Sequence, residues 1–562
     1  TVMCSYNLIN GEYSSENDNL LNKVLRDEWG FKGYVMSDWG AVNDRVKGLA
    51  AGLDLEMPSS GGLNDAKIVE AVKNGTLDEK VLDTAVKRIL EQVYRYRDVK
   101  GGEHIFDRSA DHKKAADIAK ECMVLLKNDG ALPLPHSNAK IAFIGAFAKA
   151  PRIQGGGSSH INTGNISNAL DSAAKYSDVS YAEGYERESN DTNPALLEEA
   201  VQLAADSDVA VIFAGLPDSF ESEGYDRQHM RMPDCQNELI DEICKVQENV
   251  IVVLHNGSPV EMPWNDKVSA VLEVYLCGEA TGEATADILF GKANPCGKLA
   301  ETIPMKLSDT PSYLTFPGDR HAEYNEGVFV GYRYYDKKEM AVRYPFGHGL
   351  SYTTFEYSDI KLSDTAVGDD DILTVNVVIT NTGNCAGKEI VQLYVADKSG
   401  FAVRPEKELK DFIKIELQPG ERKTVTFRLD KRAFSYYNEE LGDWYAPNGK
   451  YDIMIASSSR DIRLTAEVTH KTAVKLPFVA TENTVFGEFM DYAEGKATID
   501  LLFSKVAKGL LGGDHFEPEA VRSMIGSMPL RQIRSFGGIS DELLHQAVDM
   551  LNKDFGGFKA QM

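Results

Sequence analysis

The chain has 562 residues, of which 60 are Lys or Arg and 86 are Asp or Glu, giving a formal charge of −26. At roughly 100 to 200 residues per domain, three or four domains are expected; an apolar content of 43% fills several cores and excludes a disordered chain, and no apolar run reaches the roughly 18 to 20 residues of a membrane span. So acidic a balance argues against nucleic acid and anionic membranes as partners and suits uncharged ligands.

In chain order, the first hundred residues repeat a strand followed by a helix. Residues 1–6 read as a short strand, and Leu20, Leu21, Val24, Leu25 and Trp29 share a helix face stopped by Gly30. Strand 33–37, a helix near 41–50, strand 53–57 and two helices reaching about Arg97 follow. Apolar runs alternating with amphipathic helices predict parallel βα units. The chain opens on Thr1-Val2-Met3-Cys4, inside an apolar run, and the first strand has an open edge. Residues 1–105 are therefore expected to be the last part of a larger domain, after which a polar linker spans 98–107.

From 106 to 315 the pattern resumes with strands 141–145, 179–182, 209–214, 250–254 and 270–276 and helices 195–205, 235–245 and 282–290. This predicts a doubly wound α/β/α sandwich. A linker over 316–348 follows. Between 349 and 470 the period becomes two, with strands 373–380, 389–396, 412–417, 423–429, 451–456 and 462–468 and Asn448-Gly449 as a turn signal, which predicts an immunoglobulin-like or fibronectin III-like β-sandwich. Residues 471–562 read as a helical extension, with apolar spacing at Leu501, Leu502, Val506 and Leu510 and at Leu543, Leu544, Val548 and Leu551.

The cysteines Cys4, Cys122, Cys235, Cys244, Cys277, Cys296 and Cys385 show neither a zinc-knuckle nor a CxxC spacing. An odd, scattered set reads as free thiols, and a cytoplasmic location is expected, with an upstream export signal left open. No histidine cluster, HExxH or calcium loop occurs, so neither metal nor cofactor is predicted. Gln154-Gly155-Gly156-Gly157-Ser158-Ser159 lacks the Lys of a P-loop and the GxGxxG spacing; it reads as a plain turn or as a loop that brings backbone close to a ligand or a neighbouring domain.

Two acids stand out by position. Asp38 ends the strand 33–37, where catalytic groups project in βα-barrels; the plain alternative is an N-cap for the next helix. Glu221 and Glu223 sit in a loop that follows strand 209–214, at the strand ends where open α/β sheets bind ligands. Such a loop is often merely solvated, but two acids two residues apart suit the tuning of one carboxyl toward its protonated form.

Several segments together resemble family 3 glycoside hydrolases: Ser5-Tyr6-Asn7, Asn10-Gly11, Gly33-Tyr34-Val35-Met36-Ser37-Asp38-Trp39-Gly40-Ala41, Ala51-Gly52-Leu53-Asp54-Leu55-Glu56-Met57-Pro58, Ser222-Glu223-Gly224-Tyr225-Asp226-Arg227, Asn294-Pro295-Cys296-Gly297-Lys298-Leu299, Gly331-Tyr332-Arg333-Tyr334-Tyr335 and Phe346-Gly347-His348-Gly349-Leu350-Ser351-Tyr352. The likeness covers roughly residues 1–470. It implies a retaining β-glycosidase most like the β-glucosidases, acting on a small oligosaccharide or an aryl or alkyl β-glucoside, with Asp38 as nucleophile and Glu223 as general acid/base. Tyr6 matches the tyrosine beside the nucleophile, and Trp39 the aromatic flanking the leaving-group side. Retention needs two carboxyls about 5 to 5.5 Å apart, one ionised and one protonated.

The resemblance also implies that residues 1–105 are the C-terminal part of a (β/α)8 barrel with three of its eight strands. On that reading the chain is a partial copy of a longer enzyme, about 250 residues short by the usual barrel size, without the family's Lys-His pair and hydroxyl-binding acids, and inactive alone. A β-xylosidase or another family 3 glycosidase is the alternative among enzymes, and a non-catalytic carbohydrate-binding remnant the alternative outside them. A homo-oligomer is left open.

Overall fold

The computed structural model describes residues 1–99, 106–136, 139–496, 498, 500, 502, 523, 525–537, 539–559 and 561. The chain divides into two compact units, Thr1–Asp107 and Arg108–Met562.

In the first unit β1 (Val2–Cys4) pairs in parallel with β2 (Val35–Ser37), joined through a π-helix over Asn19–Glu28. Helices α1 (Arg45–Ala51), α2 (Leu63–Lys73) and α3 (Glu79–Asp98) follow. Leu21, Val35 and Leu53 form the centre of one small core, and Leu49, Ile68 and Ala71 of another. Three expectations are corrected. Trp29 leaves the helix face and is 74% exposed. The helix expected near 41–50 starts at Arg45, because Asp44 supplies the cap by accepting from the N–H groups of Val46 and Lys47. Strand 53–57 shrinks to a single bridge from Leu55 to Met36. Backbone bonds from the Asp54 and Leu55 N–H groups to the Val35 carbonyl and from the Ser37 N–H to the Leu55 carbonyl remain, and side chains extend them: Arg45 donates to the carbonyls of Leu53 and Asp54, and the Asp54 carboxylate accepts from the Val35 N–H.

Asp54 is the polar anchor of this unit. Its carboxyl is 1% exposed and lies 2.6 Å from Arg26 and 3.0 Å from Arg88. Arg26 also donates to the carbonyls of Gly33 and Gly52. A buried carboxylate is tolerated only when paired and hydrogen-bonded, so this cluster fixes β2 against the helices and thereby places Asp38.

The second unit opens with α4 (Arg108–Cys122) and β3 (Val124–Asn128). Then come β4 (Ile141–Ile144), α5 (Ala169–Ala173), β5 (Val179–Ala182), α6 (Pro194–Ala205), β6 (Val209–Gly215), α7 (Asp234–Ile243), β7 (Val250–His255), β8 (Ala270–Glu273) and α8 (Thr281–Leu289). The sheet order is β3-β8-β7-β6-β4-β5, parallel except for β3, which pairs antiparallel with β8. Val250–His255 is buried throughout, as expected for a strand covered on both faces. Helices α4 and α5 pack on α8, and α6 packs on α7, forming two helical layers around the sheet. The edge strand β3 escaped the sequence reading, because Val124-Leu125-Leu126 directly follows a helix with no turn residue between.

The later strands are β9 (Phe355–Leu362), β10 (Ala366–Gly368), β11 (Leu373–Asn381), β12 (Gly387–Asp397), β13 (Glu408–Leu417), β14 (Arg422–Leu429), β15 (Tyr436–Asn438), β16 (Asp443–Tyr445), β17 (Gly449–Ser458) and β18 (Asp461–Lys471). They form a three-stranded sheet, β9-β11-β14, and a five-stranded sheet, β10-β18-β17-β12-β13. Every second residue of β11 is buried, from Leu373 to Asn381, and the two inner faces share one core. Asn448-Gly449 does not turn a hairpin. Gly449 opens β17 with φ +149, where a Cβ would stand 2.6 Å from that of Ser399, and Asn448 accepts from the Thr472 N–H at 2.6 Å.

The helical extension contains a helix over Asp541–Phe555, capped by Ser540 and ended by Gly556 at φ +61. It also has a strand pair, Leu476–Pro477 with Phe558–Lys559, that periodicity did not reveal. Phe478, Phe489, Leu502, Leu544 and Leu551 share its core, and Gln561 donates to the Asn448 carbonyl at 3.0 Å. Leu501, Val506 and Leu510 lie outside the described residues, as do residues 100–105 of the expected linker.

Two of the recognised motifs stitch the α/β layer to the sandwich. The Leu299 N–H donates to the His348 carbonyl and the Gly347 N–H donates to the Leu299 carbonyl, both at 2.8 Å. Asn294 accepts from Ser351 and Tyr352, and a Cβ on Gly349 would lie 2.2 Å from the Gly297 carbonyl. Close backbone approach explains these glycines without any chemistry. Gly349→Ala is therefore expected to lower the Tm of this unit well beyond Gly420→Ala. The latter has φ +76 but open space around it and costs only the left-handed backbone penalty of about 1–2 kcal/mol; calorimetric melting of both variants checks the order.

Candidate functional site

Asp38 follows the last residue of β2, and its N–H donates to the Cys4 carbonyl at 3.1 Å. The Asp38 Oδ1 atom accepts from the Tyr6 hydroxyl at 3.1 Å and from the Trp39 N–H at 2.7 Å, and the same hydroxyl lies 2.8 Å from the Trp39 carbonyl. Tyr6, Asp38 and Trp39 thus form one cluster. The N-cap alternative fails, since Asp44 caps α1. Tyr6 and Trp39 are 53% and 54% exposed, so a carboxylate clamped from one side is edged by two accessible aromatic rings.

Met57 supports this cluster from beneath. Its N–H donates to the Ser37 hydroxyl at 2.8 Å, and its carbonyl accepts from Ser37 and from the Gly40 N–H. Gly40 takes φ +82, the turn that lets Trp39 leave the strand. Burial pushes the neighbouring Cys4 thiol upward and keeps it in its unreactive neutral form.

Glu223 lies on the second unit, exposed in the loop after β6. The glycine-rich loop is its cradle: the Ser158 N–H donates to Oε2 at 2.5 Å, and the Glu223 N–H donates to the Gly156 carbonyl at 3.4 Å. A Cβ on Gly157 would fall 2.4 Å from Oε2, and one on Gly156 would strike the Ser222 hydroxyl. Residues 154–159 read in sequence as a plain turn or as a loop that brings backbone close to a ligand or a neighbouring domain; backbone does approach closely here, but what it approaches is the Glu223 segment of the same unit.

Glu221 proves to be a structural acid. Arg152, with 2% of its side chain exposed, holds Glu221 Oε2 at 2.5 Å, donates to the Glu221 carbonyl at 2.7 Å and reaches Leu216 and Asp218 as well. The Gly257 N–H donates to Oε2 at 2.8 Å, and the Ser258 hydroxyl donates to Oε1. Burial opposes the charge, but the Ser258, Gly257 and Arg152 contacts outweigh it and hold the Glu221 carboxyl below the usual range. Its negative charge, expected to act on Glu223, is taken up by Arg152. Sequence reasoning missed Arg152, although a charged residue in Ala150-Pro151-Arg152-Ile153 is the signal of a buried ion pair.

Beneath this loop the ends of β7 and β8 meet. Arg227 donates to Ser258 and to the Pro259 carbonyl, while Asn256 donates to the Ser258 carbonyl and to Glu273 Oε2, both at 3.0 Å. The Tyr275 N–H donates to Glu273 Oε1, with Tyr275 at φ +53. Full burial raises the Glu273 carboxyl to about 8, against an ordinary 4.5, so at neutral pH it is an acid. Among the described residues no group of His, Cys, Asp and Glu is arranged to hold a metal.

Two outcomes follow. Removing the guanidinium in Arg152→Met leaves Glu221 as an uncompensated buried charge, an expected loss of about 3–5 kcal/mol; Arg152→Met/Glu221→Gln recovers part of it, and denaturant melts of both variants check the coupling. Between pH 4.5 and about 8 the unfolded chain loses the Glu273 proton while the folded chain keeps it, so folding stability falls as pH rises through that window and levels off above it. Glu273→Gln is expected to gain in Tm over the parent chain from pH 5 to pH 8; an unchanging difference contradicts the assignment.

Three family models match the chain: the glycosyl hydrolase family 3 N-terminal domain over residues 1–92, the family 3 C-terminal domain over 123–352 and a fibronectin type III-like domain over 389–459. Thermostable beta-glucosidase B of Acetivibrio thermocellus is 51% identical over 98% of this chain and 74% of its own length. An exo-alpha-(1->6)-L-arabinopyranosidase of Bifidobacterium breve is 43% identical over 87% of this chain and 66% of its own. The crystal structure of the Bifidobacterium adolescentis GH3 beta-glucosidase superposes with a TM-score of 0.83 at 43% identity, covering 88% of this chain and 73% of that one. With a relative 51% identical over 98% of this chain, the chain belongs to glycosyl hydrolase family 3 and is a glycoside hydrolase.

Proposed function

We propose that this chain hydrolyses terminal β-D-glucosyl residues with retention, with Asp38 as nucleophile and Glu223 as acid/base. The observation that carries the reading is the Tyr6–Asp38–Trp39 cluster: a carboxylate at the C-terminal end of a parallel strand, whose donors among the described residues, the Tyr6 hydroxyl and the Trp39 N–H, both meet Oδ1. That leaves Oδ2 to attack. In the first step the bond from Oδ2 to the anomeric carbon forms as the glycosidic C–O bond breaks, and the departing oxygen takes the Glu223 proton. In the second, water attacks the same carbon, its proton goes to Glu223, and Asp38 leaves. With Glu221 committed to Arg152, the proton traffic of this loop rests on Glu223. Trp39 lines the leaving-group side.

We read residues 1–105 as the C-terminal part of a (β/α)8 barrel. The parallel pairing of β1 and β2, the bridge to Leu55 and the family match over residues 1–92 support this. The boundaries 106–315, 316–348, 349–470 and 471–562 complete the proposed division. Seven free thiols support a reducing, cytoplasmic compartment.

Initial-rate kinetics with an aryl β-glucoside test the assignment. Asp38→Ala is expected to lower kcat by at least about 10³-fold, and Glu223→Ala to slow chiefly substrates with poor leaving groups; full activity in the Asp38 variant contradicts it. The similarity to the arabinopyranosidase of Bifidobacterium breve favours a second reading, in which an aryl α-L-arabinopyranoside turns over faster than the glucoside in the same assay.

A further inference from the structure

A cavity of about 640 Å³ lies in the sandwich region of the second unit, lined by residues that the proposed hydrolysis does not use. In a chain of charge −26 its lining carries five cations, Arg333, Arg404, Lys410, Arg428 and Arg432, and two acids, Glu408 and Asp430; a third acid, Asp397, pairs with Arg404 at 3.2 Å from outside the lining. Glu408 is shared by three of these cations, at 2.7 Å from Arg404, 3.4 Å from Lys410 and 3.9 Å from Arg333. Arg333 Nε is a buried donor without a hydrogen-bond partner, and Arg428, exposed on β14, has no acidic partner within 4.0 Å among the described residues. Burial holds the Lys410 ammonium and the Arg432 guanidinium below their ordinary ranges, against the opposing pull of Glu408 on the first and of Asp430, Asp443 and Glu408 on the second.

The hairpin β15–β16 adds aromatic surface. Tyr437 and Trp444 meet edge to face at 5.5 Å, and the Arg432 guanidinium lies over the indole. Tyr437 remains 52% exposed at the cavity wall. The volume falls within the range of about 300–1,000 Å³ typical of small-ligand pockets, room for roughly two or three pyranose rings. The cations are dispersed over separate elements, with Glu408 and Asp430 between them. That spacing disfavours a polyphosphate, whose charge is concentrated, and suits a chain bearing one carboxylate per ring.

We propose that this cavity binds an acidic oligosaccharide, with uronate carboxylates on Arg333, Lys410, Arg428 and Arg432 and a sugar ring against Tyr437. The site would keep an anionic glycan on the enzyme while hydrolysis proceeds elsewhere.

Isothermal titration of the full chain with trigalacturonate at low salt tests this. Saturable binding is expected, weakened at least fivefold in Arg428→Gln and in Arg432→Gln and lost for the fully methyl-esterified trisaccharide. Turnover of the aryl glycoside should be unchanged in both variants. Arg428 is exposed, so its variant carries the test alone if Arg432→Gln melts early. Absence of saturation at millimolar ligand, equal binding of the esterified sugar, unaltered affinity in Arg428→Gln, or inorganic phosphate binding as tightly as the trisaccharide would each overturn the proposal.

Discussion

A single buried ion pair, Arg152 with Glu221, decides what the loop after β6 can do. A guanidinium with almost no access to water is costly unless every donor is used, and Arg152 uses its donors on Asp218, Leu216 and both the carboxylate and the carbonyl of Glu221. The loop is thereby fixed two residues before Glu223. From the other side the glycine-rich segment offers the Ser158 N–H and the Gly156 carbonyl at distances that a side chain on Gly157 would forbid. Glu223 is exposed, yet the chain two residues before it is held by the buried Arg152.

The first unit solves the same problem with different parts. Asp54, nearly inaccessible, takes two arginines and the Val35 N–H, and this holds the strand from whose end Asp38 projects. In each unit a buried, fully paired acid lies close in sequence or space to an accessible one. The buried acid supplies position; the accessible one is free to carry chemistry. Preorganisation of this kind removes the cost of orienting a catalytic group during the reaction.

Much of this was legible in the sequence because the signals were local. The buried strands β6 and β7 appear as unbroken apolar runs, the sandwich strand β11 as strict alternation, and Asp38 as an acid at a strand end. The failures share a physical cause, which is that tertiary contacts override local pattern. Asn448-Gly449 has the chemistry of a hairpin turn, but its glycine serves close approach to Ser399 and its asparagine holds Thr472. Leu53 to Met57 has the composition of a strand, but its backbone meets β2 through only a few hydrogen bonds around Leu55, and Arg45 takes the Leu53 and Asp54 carbonyls instead. Arg152 and Glu221 lie far apart in sequence, and nothing in either segment alone announces the pair.

The claim that Asp38 forms a covalent bond to the sugar is tested most directly by trapping that species. A 2-deoxy-2-fluoro glucoside with an activated leaving group slows the second step, and proteolysis with mass spectrometry then locates the bound sugar. One glycosyl group per chain is expected, carried on Asp38, with none in the Asp38→Ala variant. A label on another residue, or an inverted first-formed product, would contradict it.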